Sequence, residues 1–325
     1  MMVSVIVVTY NHERYIEQAL DTVLSQDAPF EFEVLVSEDC STDRTREIVL
    51  HYSRLYPNRI RLFLSERNLN TNEVTLRALC AARGTYVAFL DGDDYWTSRE
   101  KLALQVQFLE NHPAYALCFH NALAFWEDGS RSPELCNSEK QAQTSGINEL
   151  LSGNFIPGCS PMFRKSALSS IPSWFEHCGY GDWALYVYAA QHGPIGFIPE
   201  TMGAYRIHKD GIWSGATPVQ RWKGIAEFFD HLRRYLGPSY QRELVRLTAY
   251  QYSELAFAYM RCADYRRATR SLLRSLRLVR EYLNIARRDR QLVRVVLKEL
   301  WGRPGKRFPI FRVLVRHARL GLSRT

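Results

Sequence analysis

The chain of 325 residues is poor in several features that would have assigned it quickly. No uninterrupted apolar run reaches the 18 or more residues of a membrane-spanning helix. The opening stretch MMVSVIVVTYNHERY lacks both the basic segment and the small-residue cleavage site of a secretory leader. Together these two gaps lead us to expect a cytoplasmic protein. Seven cysteines, Cys40, Cys80, Cys118, Cys136, Cys159, Cys178 and Cys262, include no C-x-x-C pair, which argues against a zinc site and against a disulfide framework. Glycine is missing where a phosphate-binding fold would need it. TYNHERY, after the first apolar run, has none, and no G-x-x-x-x-G-K-[ST] occurs, so a Rossmann dehydrogenase and a P-loop enzyme are both disfavoured. Internal repeats and low-complexity runs are also absent.

What is present describes an ordinary globular chain, with 46% hydrophobic and 13% aromatic residues. The net charge of +8 is unevenly spread. Residues 261–325 hold about 19 Lys+Arg against 4 Asp+Glu, roughly +15, which leaves roughly −7 for residues 1–260. VSVIVVTY reads as a strand buried on both faces. Ile16, Ala19, Leu20, Val23 and Leu24 then recur at helical spacing. FEVLV, a helix through Ile48, Val49, Tyr52 and Leu55, IRLFLS, a helix from Val74 to Arg83, and YVAFLD continue the alternation. Strand and helix in turn imply right-handed crossovers and a largely parallel sheet. After residue 115 the order loosens, and YALCFHNALAFWEDGSR reads as a hairpin arm. From Pro218 onward the signal is only helical. We therefore divide the chain into an α/β unit, 1–217, and a helical, basic C-terminal region, 218–325.

The stretch YVAFLDGDDYW raises the chemical question, because it ends a buried strand with Asp91, Asp93 and Asp94. A tight turn is one explanation for Asp-Gly. A cation is the other, since alternate residues of an extended backbone point the same way and Asp91 and Asp93 could share one hard ion. An EF-hand loop is excluded, because Trp96 stands where its glycine belongs and Leu102 where its glutamate belongs. In a parallel sheet, ligands collect beyond the carboxyl ends of the strands. Thr9-Tyr10-Asn11, Glu38-Asp39 and Asp91 to Asp94 are all expected there, in one crevice.

Five stretches in order, VSVIVVTYNHERYIEQALDTVLSQ, EVLVSEDCSTDRT, AARGTYVAFLDGDDYW, IPGCSPMFRKSAL and GDWALYVYAAQHGPIGFIPETMGAYRIHKDGIWS, resemble the successive blocks of the family 2 glycosyltransferases with the GT-A fold. The resemblance covers about residues 2–215. It implies a nucleotide pocket lined by Thr9, Tyr10, Glu13, Glu38 and Asp39, with Asp39 on the base. Most relatives read Asp-Asp-Gly-Ser where this chain has Glu38-Asp39-Cys40-Ser41. Asp91-Gly92-Asp93 matches the family's Asp-x-Asp, with Asp93 as ligand of Mn2+ or Mg2+ and Asp91 near the ribose or the metal. His208 matches a histidine at the metal or the diphosphate, and Arg206, Lys209, Gly211 and Trp213 are placed in a closing loop. Arg67 and Arg77 stand where basic groups reach the nucleotide in some relatives, and solvated surface positions explain them equally well. Cys159, Ser160 and Arg164 fall in a segment that faces sugar or acceptor. Asp182, preceded by Gly181 where the family has an acidic or amide residue, corresponds to the catalytic base. Capping of local helices is the structural alternative for Asp182 and for Asp39, Ser41 and Asp43.

The reading that follows is an inverting, metal-dependent glycosyltransferase. It moves a sugar from a nucleoside diphosphate donor, expected to be a uridine diphosphate sugar, to a hydroxyl of a glycan or lipid-linked acceptor. Two rivals are a catalytically silent glycan-binding or scaffold protein of the same fold and a sugar-nucleotide pyrophosphorylase, the latter disfavoured by the missing glycine loop. No nucleic-acid module accompanies the basic tail. Its apolar-plus-basic segments 290–301 and 308–320 leave three readings open: a helical pair that binds a partner or the acidic α/β unit, a solvated face, or a peripheral rest on an anionic membrane surface, which Trp301, Phe308, Phe311, Arg312, Arg316 and Arg319 suit.

Overall fold

A computed structural model describes residues 1–211 and 213–286. The segments 290–301 and 308–320, and the aromatic and basic residues named in them, lie outside the described residues. Strand and helix alternate through β1 (Val3–Thr9), α1 (Ile16–Leu24), β2 (Phe32–Glu38), α2 (Thr45–Leu55), β3 (Ile60–Leu64), α3 (Glu73–Ala81) and β4 (Tyr86–Asp91). There follow β5 (Tyr95–Trp96), α4 (Lys101–Asn111), β6 (Leu117–Trp126), β7 (Glu134–Leu135), β8 (Thr144–Ser145), α5 (Ile147–Ser152) and β9 (Met162–Arg164). The chain continues through α6 (Gly181–Ala189), β10 (Ile195–Ile207), α7 (Pro218–Tyr235), α8 (Pro238–Arg261) and α9 (Tyr265–Ala286).

One sheet runs in the order β3-β2-β1-β4-β9-β6-β10-β5. Its first four strands are all parallel, and β9 is antiparallel to both β4 and β6. β1 alternates its side chains between two cores, which is why it reads as continuously apolar. Val3, Val5 and Val7 meet α1, α2 and α4 on one face, while Ile6 faces the other core, built by α3, α5, α6 and α7. Register then decides where polar residues end up: Thr9 stands beside Glu38, and Val8 beside Asp91. The carboxyl ends of β1, β2 and β4 are thus level, and their polar tips open on one side of the sheet.

Two sequence readings gain detail. YALCFHNALAFW is β6, which forms a short antiparallel hairpin with β7 through Leu123 and Ala124. It is also buried in the sheet and paired in parallel with β10 over its whole length, so its apolar run serves the sheet core as well as the hairpin. The change to helices at Pro218 is sharp, with Thr217 accepting a hydrogen bond from the Gln220 N–H and Pro218 in the first turn. It is a change of element type and not a break in the core, because Ile225, Phe228, Phe229 and Leu232 of α7 share the core of Trp183 and Leu185. Ser253 and Ser275 hydrogen-bond to each other between α8 and α9 at 2.8 Å, and Val245, Ala249, Leu278 and Tyr282 form a small core there. The buried face of α9 therefore runs along Ala268, Ser271, Ser275, Leu278 and Tyr282, with Leu272, Leu276 and Val279 half-buried beside it.

Lys101, on α4, is fully buried, its ammonium 3.8 Å from the centre of the Trp96 ring and without a hydrogen-bond partner. Burial pushes its pKa down from 10.5 to about 7. The folded state then binds fewer protons than the unfolded chain between these values, so the stability cost of this lysine is greatest below pH 7 and fades as pH rises toward 10.5. We expect Lys101→Met to raise stability by about 1–3 kcal/mol at pH 6, after loss of the cation–π contact is counted. Thermal unfolding of both proteins at pH 6 and pH 9 checks this: the advantage must shrink at the higher pH.

Candidate active site

The crevice is built around the turn that follows β4. Gly92 donates its N–H to the Val8 carbonyl at 2.8 Å, tying that turn to β1. A Cβ at position 92 would lie 2.7 Å from Thr9 Oγ1 and 2.9 Å from His12 Nδ1, so only glycine lets the two strand ends approach this closely. Asp91, Asp93 and Asp94 then diverge. Asp94 is buried, accepts the Arg206 backbone N–H at 2.8 Å through Oδ1 and leaves Oδ2 unpartnered. Burial, with the charges of Asp93 and Asp91, holds its carboxyl well above the usual range. Asp93 Oδ2 lies 3.0 Å from His208 Nε2 and 3.6 Å from His12 Nε2. Burial alone would raise the Asp93 pKa, but the His208 hydrogen bond and the two imidazoles outweigh it, and the group stays below the ordinary carboxylate value. The imidazoles differ. The Asp93 hydrogen bond raises the pKa of His208, whereas burial lowers that of His12.

Asp91 points into the open cleft, where Gly158 forms part of the wall: a Cβ there would be 3.3 Å from Asp91 Oδ2. Its side chain is solvent-accessible, yet enclosure by the cleft and the charges of Asp93 and Asp182 push its pKa up to about 7. Desolvation and the like charges act in the same direction, each disfavouring the ionised form. Asp182 lies in the first turn of α6, near enough to Asp91 for its charge to be felt there, and Asn154 Nδ2 donates to its Oδ2 at 3.0 Å. Desolvation raises its pKa, partly offset by nearby backbone N–H groups and Asn154.

The remaining predicted residues divide sharply. Thr9 is buried with Oγ1 unpartnered, and Tyr10 is exposed beside it. Glu13 accepts the Arg44 N–H at 2.9 Å, at the start of α2. Glu38 is fully buried and accepts from Arg46 Nε at 2.6 Å. Asp39 accepts from Ser65 Oγ, the Leu69 N–H and the Asn70 N–H at 2.9–3.1 Å, and so shapes the loop after β3. Arg77 donates to Ser37 Oγ and to the carbonyls of Glu38 and Phe63, a stitch between β2 and β3. Arg67 is exposed on the following loop. Arg206 donates to the Asp93 carbonyl and to Gln18 and sits over the rings of Tyr15, Phe125 and Tyr95 at 4.6, 4.9 and 5.6 Å. Trp213 is half-exposed against Tyr180 and Arg221, and Lys209 is exposed.

Cys159 and Ser160 are fully buried and Arg164 holds the Tyr115 carbonyl, so this trio is a support for the cleft and not a face toward sugar or acceptor. Cys40 occupies the left-handed region at φ 60°, a conformation in which a Cβ is strained and glycine is not. This is the physical content of the Gly that most relatives carry at this position. His12, Asn154 and Asp94 were not singled out for roles by sequence reasoning. The signal available for His12 was its place three residues past the β1 tip, on the loop that leaves the strand paired with Asp91.

A divalent ion finds suitable donors here: an ionised Asp93, the imidazole of His208, whose Nδ1 is buried and unpartnered, and Asp91 across the turn. Among the described residues no group of three or more His, Cys, Asp or Glu side chains is already arranged to hold a metal ion. Asp93 and His208 are instead engaged with each other.

A carboxylate-rich crevice at the carboxyl ends of a 3-2-1-4 parallel half-sheet, faced by a further aspartate from an added layer, is the arrangement of a nucleotide-dependent transferase of the GT-A type. Comparison with known proteins agrees, because residues 4–171 match the profile described as glycosyl transferase family 2. The chain belongs to that family. It is 37% identical over 219 residues to an uncharacterized protein of Mycobacterium tuberculosis, covering 67% of this chain and 62% of that protein's length. The crystal structure of Staphylococcus aureus TarS residues 1–349 in complex with UDP-GlcNAc is similar, with TM-score 0.56 at 19% identity over 84% of this chain and 90% of that one. The mannosyltransferase PcManGT of Pyrobaculum calidifontis, in complex with GDP-Man and Mn2+, gives TM-score 0.57 at 20% identity over 93% and 87% of the two chains.

The buried Glu38 separates a structural from a nucleotide-binding role. We expect Glu38→Gln to destabilise the fold by about 2–4 kcal/mol, since it leaves the Arg46 guanidinium without its buried counter-charge. Nucleotide affinity of the folded fraction should change less than threefold. Denaturant titration and calorimetry read the two effects separately.

Proposed function

We propose that this protein is an inverting glycosyltransferase that takes its sugar from a uridine diphosphate donor and depends on Mn2+ or Mg2+. The observation that carries this reading is that Asp182, held by Asn154 at 3.0 Å, lies near enough to Asp91 for its charge to raise the Asp91 pKa. A base on one wall and a diphosphate site on the other is what single displacement requires.

In this reading Asp182 accepts the proton of the acceptor hydroxyl. The acceptor oxygen forms its bond to the anomeric carbon as the bond from that carbon to the diphosphate oxygen breaks, and the electron pair leaves with the diphosphate. Asn154 holds the Asp182 carboxylate in place for that transfer. Asp93 and His208, with Asp91, would hold the divalent ion, which supplies charge stabilisation to the departing diphosphate when bound. Thr9 and Tyr10 line the nucleotide side. Asp39 supports it through the loop it orders, while Arg206 keeps the Asp93 backbone in position. The acceptor is a hydroxyl of a cell-envelope glycan, free or lipid-linked. TarS, whose name describes it as a poly(ribitol-phosphate) β-N-acetylglucosaminyltransferase, is 40% identical over 116 residues, 34% of this chain and 19% of its own length, and supports that class.

Asp182→Asn should retain uridine diphosphate binding and lose transfer by about 10²–10⁴-fold. Because desolvation raises the Asp182 pKa above 3.8, the base form is lost as pH falls through that raised value, and kcat/KM should fall on an acid limb that the variant lacks. Asp93→Ala should instead abolish the metal dependence of donor binding. Equal affinity for wild type and Asp93→Ala, in Mn2+ and in chelator, would defeat the metal assignment.

For the C-terminal region we propose peripheral attachment to an anionic membrane surface. No helix among the described residues is long and apolar enough to cross a membrane. Residues 287–325 contain about 12 Lys+Arg and 2 Asp+Glu, each basic group contributing about 1 kcal/mol near anionic lipid. Because α9 packs on α8, the informative truncation is after residue 286 and not near 260. The full chain should co-sediment with phosphatidylserine-rich vesicles at low salt and release at high salt, whereas a chain ending at 286 should stay in the supernatant.

A further inference from the structure

We infer that His12 is a further side-chain donor to the divalent ion, so that two imidazoles, His12 and His208, flank Asp93 in holding it. This rests on the metal-dependent reading above and extends it, since no motif in the chain assigns His12 a role. The first observation is geometric. Asp93 Oδ2 lies between two Nε2 atoms, 3.0 Å from that of His208 and 3.6 Å from that of His12. Neighbouring donors around an octahedral ion with bonds of about 2.0–2.1 Å stand about 3 Å apart. One pair already has that spacing, and the other exceeds it by an amount that a small rotation of the His12 ring closes.

The second observation is what holds His12, and what does not. Its backbone N–H donates to Thr45 Oγ1 at 2.8 Å, and its carbonyl accepts the N–H groups of Tyr15 and Ile16 at the start of α1. The local fold therefore uses the main chain of this residue and could be served by many side chains. The ring makes no such contribution. Nδ1 is buried without a hydrogen-bond partner, and Nε2 has its ion-pair contact with Asp93 alone. A half-buried imidazole left so poorly satisfied costs stability, and that cost is understandable when the ring is retained for something bound. Gly92 reinforces the point, because any side chain there would collide with His12. The third consideration is donor chemistry. Oxygen-only sites suit Mg2+, while added imidazole nitrogen favours Mn2+ along the divalent series. A site with two nitrogens should therefore distinguish the two ions more strongly than an Asp-x-Asp pair alone.

The test uses the full chain with Mn2+ and uridine diphosphate, read by pulsed electron paramagnetic resonance, which counts the nitrogens coupled to the ion. We expect two imidazole nitrogens in the unmodified protein, one in His12→Gln and one in His208→Gln. By calorimetry, Mn2+ affinity in His12→Gln should fall about 10–100-fold, with a smaller loss for Mg2+, so that the preference between the ions narrows. A single coupled nitrogen in the unmodified protein that disappears only in His208→Gln would overturn the inference, and so would bound Mn2+ with no coupled nitrogen. The count on the unmodified chain decides the question even where a variant fails to fold. Absence of any Mn2+ binding, with or without nucleotide, would remove the metal-dependent reading itself, a result distinct from bound Mn2+ with the wrong ligands.

Discussion

Three carboxylates within four residues repel one another, and the rest of the site is arranged around that repulsion. The answering cation inside the protein is Arg206. Its backbone N–H meets Asp94, its guanidinium meets the Asp93 carbonyl, and the rings of Tyr15, Tyr95 and Phe125 enclose its charge. A guanidinium tolerates such partial burial because it is weakly hydrated and stacks on aromatic faces. With Asp94 absorbed in this way and held largely neutral, Asp93 is left to the histidines and Asp91 to the open cleft. Three adjacent aspartates thus acquire three different jobs through their surroundings.

A similar division of labour operates at the end of β2. Glu38 and Asp39 are neighbours in sequence, but Glu38 is turned inward to Arg46 and Asp39 outward to the loop of Ser65, Leu69 and Asn70. Alternation along an extended strand is enough to separate them. Arg77 closes the group from below by bonding the carbonyls at the ends of β2 and β3. Acidic and basic residues that cluster near a nucleotide pocket are therefore largely occupied with each other, and what they offer a ligand is a rigid rim.

The added strands and helices position the other half of the chemistry. β9 enters antiparallel between β4 and β6, and the segment preceding it brings Asn154 and Gly158 to the cleft, toward Asp182 and Asp91. α6 is buried along most of its length and is pinned by α7, whose Phe228 packs 5.0 Å from the Trp183 ring. The helical C-terminal region thus helps set the position of Asp182, although no residue of α7 need touch a substrate. A loss of packing there would be felt at the base.

The parallel half-sheet, the level strand ends and the polar crevice were all legible in the chain, because apolar periodicity and strand order are local properties that survive in one dimension. The position of Asp91 and Asp93 at a strand end was legible for the same reason, whereas Asp182 was reached only through the resemblance of its block to the family's. Side-chain allegiance was not legible. Whether Glu38, Arg77, Arg206 or Cys159 faces a ligand or a neighbour depends on residues as far as 188 positions away, and hydrogen bonds between distant residues leave no periodic trace. Lys101 beneath Trp96 and His12 beside Asp93 belong to the same class. The sequence alone determined which elements form and which ends carry charge. Only tertiary structure decided how that charge is shared, because a carboxylate's protonation and availability follow from burial and nearby charges, and these exist only once distant strands are brought together.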